Sequence, residues 1–262
     1  GAAGGVDGDP LAAEAVGLVS GAVWSDLDQD GWPDLILACE WGPIRVFRNQ
    51  KGQLVSWDSP VTVRASASGK TNSAFLSQLM GWWNGVTTGD FDGDGRMDIL
   101  ASNWGCNTRY ERYRAKPLRL YYGDFAEDGI TQLMEACYDS LSSTYVPTRM
   151  LETVTRSIPS LAARFATYES WAQANIDRVV ADRGQAMRYL AATWLETTLF
   201  LNRGDHFESR VLPREVQFVP AFALCVADFN GDGCEDVFLS QNFFAVDNDT
   251  SRYDAGRGLL LL

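Results

Sequence analysis

The chain is 262 residues long, 46% hydrophobic, and carries a formal net charge of −12. That length can bury a sizeable core, and the acidic balance gives no counterion-release drive toward nucleic acid, so a nucleic-acid partner is excluded. No apolar run is long enough to cross a bilayer as a helix and no secretory leader is legible, so membrane insertion is not expected.

Gly1 to Asp9 are small residues, read as a flexible lead. The first patterned segment is Asp26-Leu27-Asp28-Gln29-Asp30-Gly31-Trp32-Pro33-Asp34, which runs straight into Leu35-Ile36-Leu37-Ala38. Oxygen-bearing side chains stand at loop positions one, three, five and nine, and Gly31 stands at six, where the backbone must turn toward a bound ion. The pattern returns as Asp90-Phe91-Asp92-Gly93-Asp94-Gly95-Arg96-Met97-Asp98 before Ile99-Leu100-Ala101-Ser102. It returns again as Asp228-Phe229-Asn230-Gly231-Asp232-Gly233-Cys234-Glu235-Asp236 before Val237-Phe238-Leu239-Ser240. Trp32, Arg96 and Cys234 occupy position seven, where the ligand is the backbone carbonyl. Such a cage suits a hard cation. Calcium fits best, because it accepts about six to eight oxygens at flexible angles, whereas magnesium demands a tighter octahedron and zinc recruits His or Cys. About three calcium ions are therefore expected. An EF-hand is excluded, since its position-twelve glutamate is replaced by Leu37, Ala101 or Leu239, and each loop opens an apolar strand instead of a helix.

Between the second and third loops the pattern changes. Arg109, Arg112, Arg114, Lys116 and Arg119, interleaved with Tyr110 and Tyr113, read as a solvated loop between blades or as a site for an anionic ligand. A degenerate copy follows, Asp124-Phe125-Ala126-Glu127-Asp128-Gly129-Ile130-Thr131-Gln132, which has lost the third-position oxygen to Ala126 and the ninth-position carboxylate to Gln132. It reads as a blade that keeps the turn and leaves the metal site empty or weak. From 147 to 192 apolar residues recur at three- and four-residue intervals, among them Val154, Ile158, Leu161, Phe165, Trp171, Ile176 and Met187. Short helices are predicted there, with Pro159 in a first turn, Asn175 as a cap and Gly184 as a stop. Phe200-Leu201-Asn202-Arg203-Gly204-Asp205 repeats the hairpin pattern of Val46-Phe47-Arg48-Asn49-Gln50-Lys51-Gly52. On that alignment Arg203-Gly204-Asp205 is a turn and not an adhesion ligand. Asn248-Asp249-Thr250 is a glycosylation sequon in a eukaryotic setting. The sequence closes on Gly258-Leu259-Leu260-Leu261-Leu262, read as a strand in mid-course.

The acidic core followed by an apolar strand resembles the calcium-binding repeats of FG-GAP and VCBS-type β-propellers. These include the lower blades of integrin α-subunits and the cartilage-acidic-protein relatives that often carry an ASPIC/UnbV domain. The Phe-Gly and Gly-Ala-Pro signatures are absent. The resemblance implies an all-β fold, a partial β-propeller over 1–262 with about four blades, interrupted by an α-helical insertion over 147–192. Further blades or another chain would complete the ring. It also implies an extracellular, cell-surface or periplasmic binding or adhesion module, clamped by structural calcium and directed at a protein or carbohydrate ligand.

The alternative is a propeller-based carbohydrate-active enzyme, a polysaccharide lyase or glycosidase. Trp82, Trp83, Trp104 and Tyr110 could stack a sugar in that case, or pack between blades in the other. The single histidine, His206, falls in a turn, which leaves little room for Ser/His or Cys/His nucleophilic chemistry. Cys39, Cys106, Cys137, Cys225 and Cys234 have no zinc spacing. They are either partly free or intermolecular thiols in a secreted chain, or small buried hydrophobes.

Overall fold

The computed structural model describes residues 16–64, 71–111, 116–180 and 188–262. Gly1 to Asp9, Arg112, Tyr113, Arg114, Gly184 and Met187 lie outside the described residues. The chain is mostly β-strand with a few short helices, and its strands fall into four sheets.

The first sheet is an antiparallel meander of β1 (Leu18–Ser25), β2 (Asp34–Gly42), β3 (Arg45–Gln50) and β4 (Gln53–Trp57). Next come β5 (Pro60–Arg64) and β6 (Thr71–Phe75), a hairpin, and β7 (Gly81–Trp82), which pairs back onto β2. β8 (Gly85–Gly89) and β9 (Asp98–Ser102) begin the second sheet. The chain then leaves it to build a third sheet from β10 (Leu118–Gly123), β11 (Gln132–Asp139), β12 (Thr144–Pro147) and, after four helices, β13 (Arg188–Ala192). It returns as β14 (Thr198–Asn202), which pairs with β9, and β15 (Phe207–Val211). The β5–β6 hairpin extends this sheet at the β15 edge, where β5 runs parallel to β15. The fourth sheet is β16 (Ala221–Ala227), β17 (Asp236–Gln241) and β18 (Leu259–Leu261). No sheet closes on itself among the described residues.

β2 and β9 are buried along almost their whole length, as expected of continuous apolar strands covered on both faces. Ile36, Ala38 and Val46 of the first sheet share one core with Ile99, Ala101, Phe200 and Phe207 of the second. β8 packs against β1 on one side and β16 on the other, so the leading strands of three sheets stand in a row. Glycine makes that approach possible: a Cβ on Gly21 would lie 3.1 Å from the Gly85 Cα, and one on Gly85 would lie 2.7 Å from the Phe222 carbonyl oxygen.

The degenerate loop joins β10 to β11 of the four-stranded third sheet, inside an excursion between β9 and β14 of the second. Linear spacing cannot show this, because β9 and β14 are joined by pairing across a long insertion. The helices occupy less than 147–192: α1 (Leu151–Thr155), α2 (Leu161–Arg164), α3 (Tyr168–Ala172) and α4 (Ile176–Val180) are followed by the strand β13, which is held on the edge of β10. Val154, Ile158, Leu161, Phe165, Trp171, Ile176 and Val179 turn inward onto Tyr121 and Met134 of the third sheet. Asn175 caps α4 by accepting the Arg178 N–H at 2.9 Å.

Gly85→Ala should destabilise the chain by about 1–3 kcal/mol, since the added methyl meets backbone that cannot rotate away. Urea denaturation checks it, and an unchanged midpoint would show that β8 and β16 are free to part.

Candidate cation-binding loops

Each acidic loop links two neighbouring antiparallel strands, β1–β2, β8–β9 or β16–β17, and is shaped by its own carboxylates. In the first, Asp26 accepts the N–H groups of Asp30 at 3.1 Å and Gly31 at 2.9 Å, and Asp30 accepts that of Trp32 at 2.8 Å. In the second, Asp90 accepts from Asp94 at 3.1 Å and Gly95 at 2.9 Å, and Asp94 from Arg96 at 3.0 Å. In the third, Asp228 accepts from Asp232 at 3.2 Å and Gly233 at 2.9 Å, and Asp232 from Cys234 at 2.9 Å. The position-six glycines Gly31, Gly95 and Gly233 have φ of 88°, 84° and 89°. A Cβ there would meet nothing within 4 Å, so the backbone angle and not space requires glycine. Position four is left-handed as well, with Gly93 and Gly231 in two loops but Gln29 at φ 61° in the first.

The ninth-position carboxylates are buried and do most to fix the geometry. Asp34 accepts the Leu27 N–H at 3.0 Å and the Asn49 N–H at 2.8 Å, which ties the loop to the end of β3. Asp98 accepts from Phe91 at 3.0 Å and from Asn202, in β14, at 2.7 Å. Asn49 and Asn202 are counterparts: their side-chain amides donate to the carbonyls of Pro33 at 2.9 Å and Met97 at 3.1 Å. Both lie in the two hairpin segments whose likeness the sequence shows, but nothing in the sequence signals that they serve the loops. Asp236 accepts the Phe229 N–H at 2.9 Å.

Asp26, Asp28 and Asp34 bring carboxylate oxygens within 4.8 Å of one another, and Asp90, Asp92 and Asp98 do the same. The third loop carries Asn230 where the others have their third-position aspartate, so no such carboxylate trio forms there, and the Asn230 amide donates to Asp232 at 3.0 Å. The position-five groups Asp30 and Asp94 stand outside the trios. Asp94 is instead paired with Arg96 and, at 3.2 Å, with Arg203, whose guanidinium also contacts Asp92 at 2.6 Å and Glu208 at 3.1 Å. Arg203 is thus committed to the second loop, and Asp205 bonds His206 at 2.7 Å, so the Arg203-Gly204-Asp205 turn is internally engaged. In the first loop Arg48 stands farther off, 3.6 Å from Asp28.

Burial drives the electrostatics. Desolvation pushes the Asp98 carboxyl up from 3.8 to about 6, against the N–H bonds from Asn202 and Phe91 and with help from Asp92 and Asp94. Asp34 is raised for the same reason, with Asp28 and Asp26 adding to the push. Asp94 and Asp232 are held low, first by the N–H of the position-seven residue. The negative field of Asp232 raises the Cys234 thiol, which argues against a reactive thiolate there. A raised carboxylate beside two more is a site that gains from a hard cation, and all of its donors are oxygens.

The degenerate loop reproduces the skeleton by other means. Asp124 accepts from Asp128 at 3.0 Å and Gly129 at 2.9 Å, and Asp128 accepts from Ile130 at 2.9 Å. Gln132 takes the place of the buried aspartate: its carbonyl accepts the Phe125 N–H at 2.6 Å, and its amide donates to Asp128 at 3.0 Å. A neutral donor thus closes the ring onto Asp128.

Neighbouring loops touch. Gln29 donates to the Gly95 carbonyl at 2.6 Å, Asn202 to the Leu27 carbonyl at 2.8 Å, and Glu235 of the third loop accepts the Asp90 N–H at 2.5 Å. Trp82, Trp83, Trp104 and Tyr110 are buried packing residues, with Trp82 stacked on Trp104 at 4.1 Å between centroids. The five cysteines form no disulfide among the described residues.

Mostly β, with repeated acidic turns each feeding a buried strand, the chain has the features of a β-rich repeat protein. Residues 26–101 match the model of the FG-GAP-like repeat, a span that opens on Asp26 and ends in β9. A search of the curated proteins finds no match for the chain.

Acidification should weaken cation binding at the second loop. Because the folded value for Asp98 lies above its ordinary one, the metal-free fold loses stability as pH rises through about 6, and a cation reverses that penalty. Between pH 7.5 and pH 5 the apparent affinity should fall by roughly tenfold as protons compete for Asp98. Calcium titration at both pH values tests this, and equal affinities would place the cation away from Asp98.

Proposed function

We propose that the chain is a binding or adhesion module whose sheets are propeller blades clamped by structural calcium. It would act where free calcium is high, outside the cell, on its surface or in the periplasm. The observation that carries this reading is the pair of trios, Asp26, Asp28, Asp34 and Asp90, Asp92, Asp98, each closed by the same hydrogen-bonded ring. The FG-GAP-like match over 26–101, which covers both, supports it. Asp26, Asp28, Asp30 and Asp34, then Asp90, Asp92, Asp94 and Asp98, then Asp228, Asn230, Asp232 and Asp236, would hold the ions, with the carbonyls of Trp32, Arg96 and Cys234. Calcium supplies the charge that lets these oxygens converge, and the chain's own residues set the shape that receives it.

The row of leading strands, β1, β8 and β16, is what neighbouring blades around an axis would present. Leu18, Val19 and Trp24 at one end of the row, and Phe222, Phe238 and Leu260 at the other, are exposed apolar residues that a further blade or another chain would cover. The ligand is a protein or a carbohydrate.

Each occupied site contributes roughly 1.4 kcal/mol when free calcium is ten times its dissociation constant. Two such sites correspond to a rise of about 5–10 °C in melting temperature. Calorimetry with calcium and with EGTA measures it, and coincident curves would remove the structural role. Ala126→Asp with Gln132→Asp should add one ion per chain by mass spectrometry, whereas a parent already filled at Asp124 would contradict the reading of that loop.

A further inference from the structure

β9 and β17 receive acidic loops at one end and, at the other, lead into a cleft in which those loops take no part. Past β9 come Asn107, Thr108 and Arg109, and past β17 comes the segment Asp249 to Tyr253; together they line a cavity of about 510 Å³. An adjoining cavity of about 540 Å³ shares Asn107 and adds Arg214, Gln217 and Phe218. Both volumes are in the range of small-ligand sites. The intervening strands, 5 and 6 residues, are themselves about 17–20 Å long.

The cleft is cationic on a chain of net charge −12. Arg109, Arg214 and Arg252 line it, and none of them enters an ion pair among the described residues; Arg109 donates to the Thr148 carbonyl. Two acids line it against these three arginines, exposed Glu111 in the adjoining cavity and Asp249, which is already spent. The Asp249 side chain is 3% exposed and is held by Arg149 at 3.3 Å. The Met150 N–H, at 3.1 Å, and the Thr250 hydroxyl, at 3.0 Å, also donate to Asp249. Arg149 in turn pairs with Glu135 at 3.2 Å, and the Tyr110 hydroxyl donates to Glu135 at 2.9 Å. This network ties the excursion to the β17–β18 connection and makes a rigid wall. Exposed Asn107 and Ser251 add amide and hydroxyl groups.

We propose that this cleft binds an acidic oligosaccharide, a sugar chain bearing carboxylates. Guanidinium groups match carboxylates with paired, directional hydrogen bonds, and amide and hydroxyl side chains match sugar hydroxyls. Trp104 and Tyr110 lie buried beneath the surface and Tyr253, which lines the cavity, is itself buried, so recognition uses charge and hydrogen bonds more than ring stacking. An acidic peptide would need apolar anchors, and the lining offers only half-buried Phe218. The proposal rests on the binding-module reading and names its ligand class, at a place remote from the cation loops.

The test is isothermal titration with a uronate tetrasaccharide, a neutral tetrasaccharide, sodium sulfate and a hexaglutamate peptide. The uronate alone should bind, and Arg252→Gln with Ser251→Ala, both at exposed positions, should weaken it by tenfold or more with the melting temperature unchanged. Asp26→Asn should leave the binding intact, so a failed calcium reading does not carry this one with it. No uronate binding, equal binding of sulfate or hexaglutamate, or unchanged affinity in the double variant would overturn the proposal.

Discussion

A buried carboxylate at the ninth position of each complete loop is the constraint on which the rest depends. Asp34 and Asp98 each accept one N–H from their own loop and one from a strand that arrives later, Asn49 of β3 or Asn202 of β14. Burying an ionised carboxylate is costly unless its oxygens are bonded and its charge is balanced. The hydrogen bonds answer the first need, while burial raises both groups despite those bonds, with neighbouring aspartates adding to the push. The same bonds that give the loop its shape thus gather carboxylates into a place that a cation could fill. Gln132 is the contrasting case: an amide has no charge to balance, and its own N–H closes the ring onto Asp128.

Because Asp98 is bonded to Asn202, the second loop also fastens the far side of a long interruption. β9 and β14 meet only after the chain has built another sheet and a helical layer, and the Asp98–Asn202 bond, with Asn202 reaching Met97 and Leu27, holds the return in register. Arg203, next in sequence, spans Asp92 and Asp94. Excursion, hairpin and loop are therefore one mechanical unit. At the other end of the strands, Arg149 and Asp249 tie the excursion to the β17–β18 connection.

The loops were legible in the sequence because side-chain chemistry fixes their residues at fixed spacing, and the apolar runs after them were legible as strands because doubly covered strands carry few polar residues. Hairpin turns at Lys51-Gly52 and Gly204-Asp205 were legible for similar local reasons. What sequence could not show depends on distant partners. Asn49 and Asn202 look like ordinary turn residues until the carbonyls they bond are in place. Gln29, which holds a left-handed angle usually given to glycine, betrays nothing in the pattern. The place of the degenerate loop was hidden for the same reason: its local pattern gives the turn, while its position in the chain order of the sheets is set by the pairing of β9 with β14.

The most direct measurement is amide hydrogen exchange, by NMR, with calcium and with chelator. If cations complete the charge balance of the buried carboxylates, the N–H groups of Leu27, Asn49, Phe91 and Asn202 should exchange at least tenfold more slowly with calcium. The Phe125 N–H, which bonds neutral Gln132, should not respond. Equal protection of all five amides in both conditions would contradict the claim that these loops are clamped by a cation.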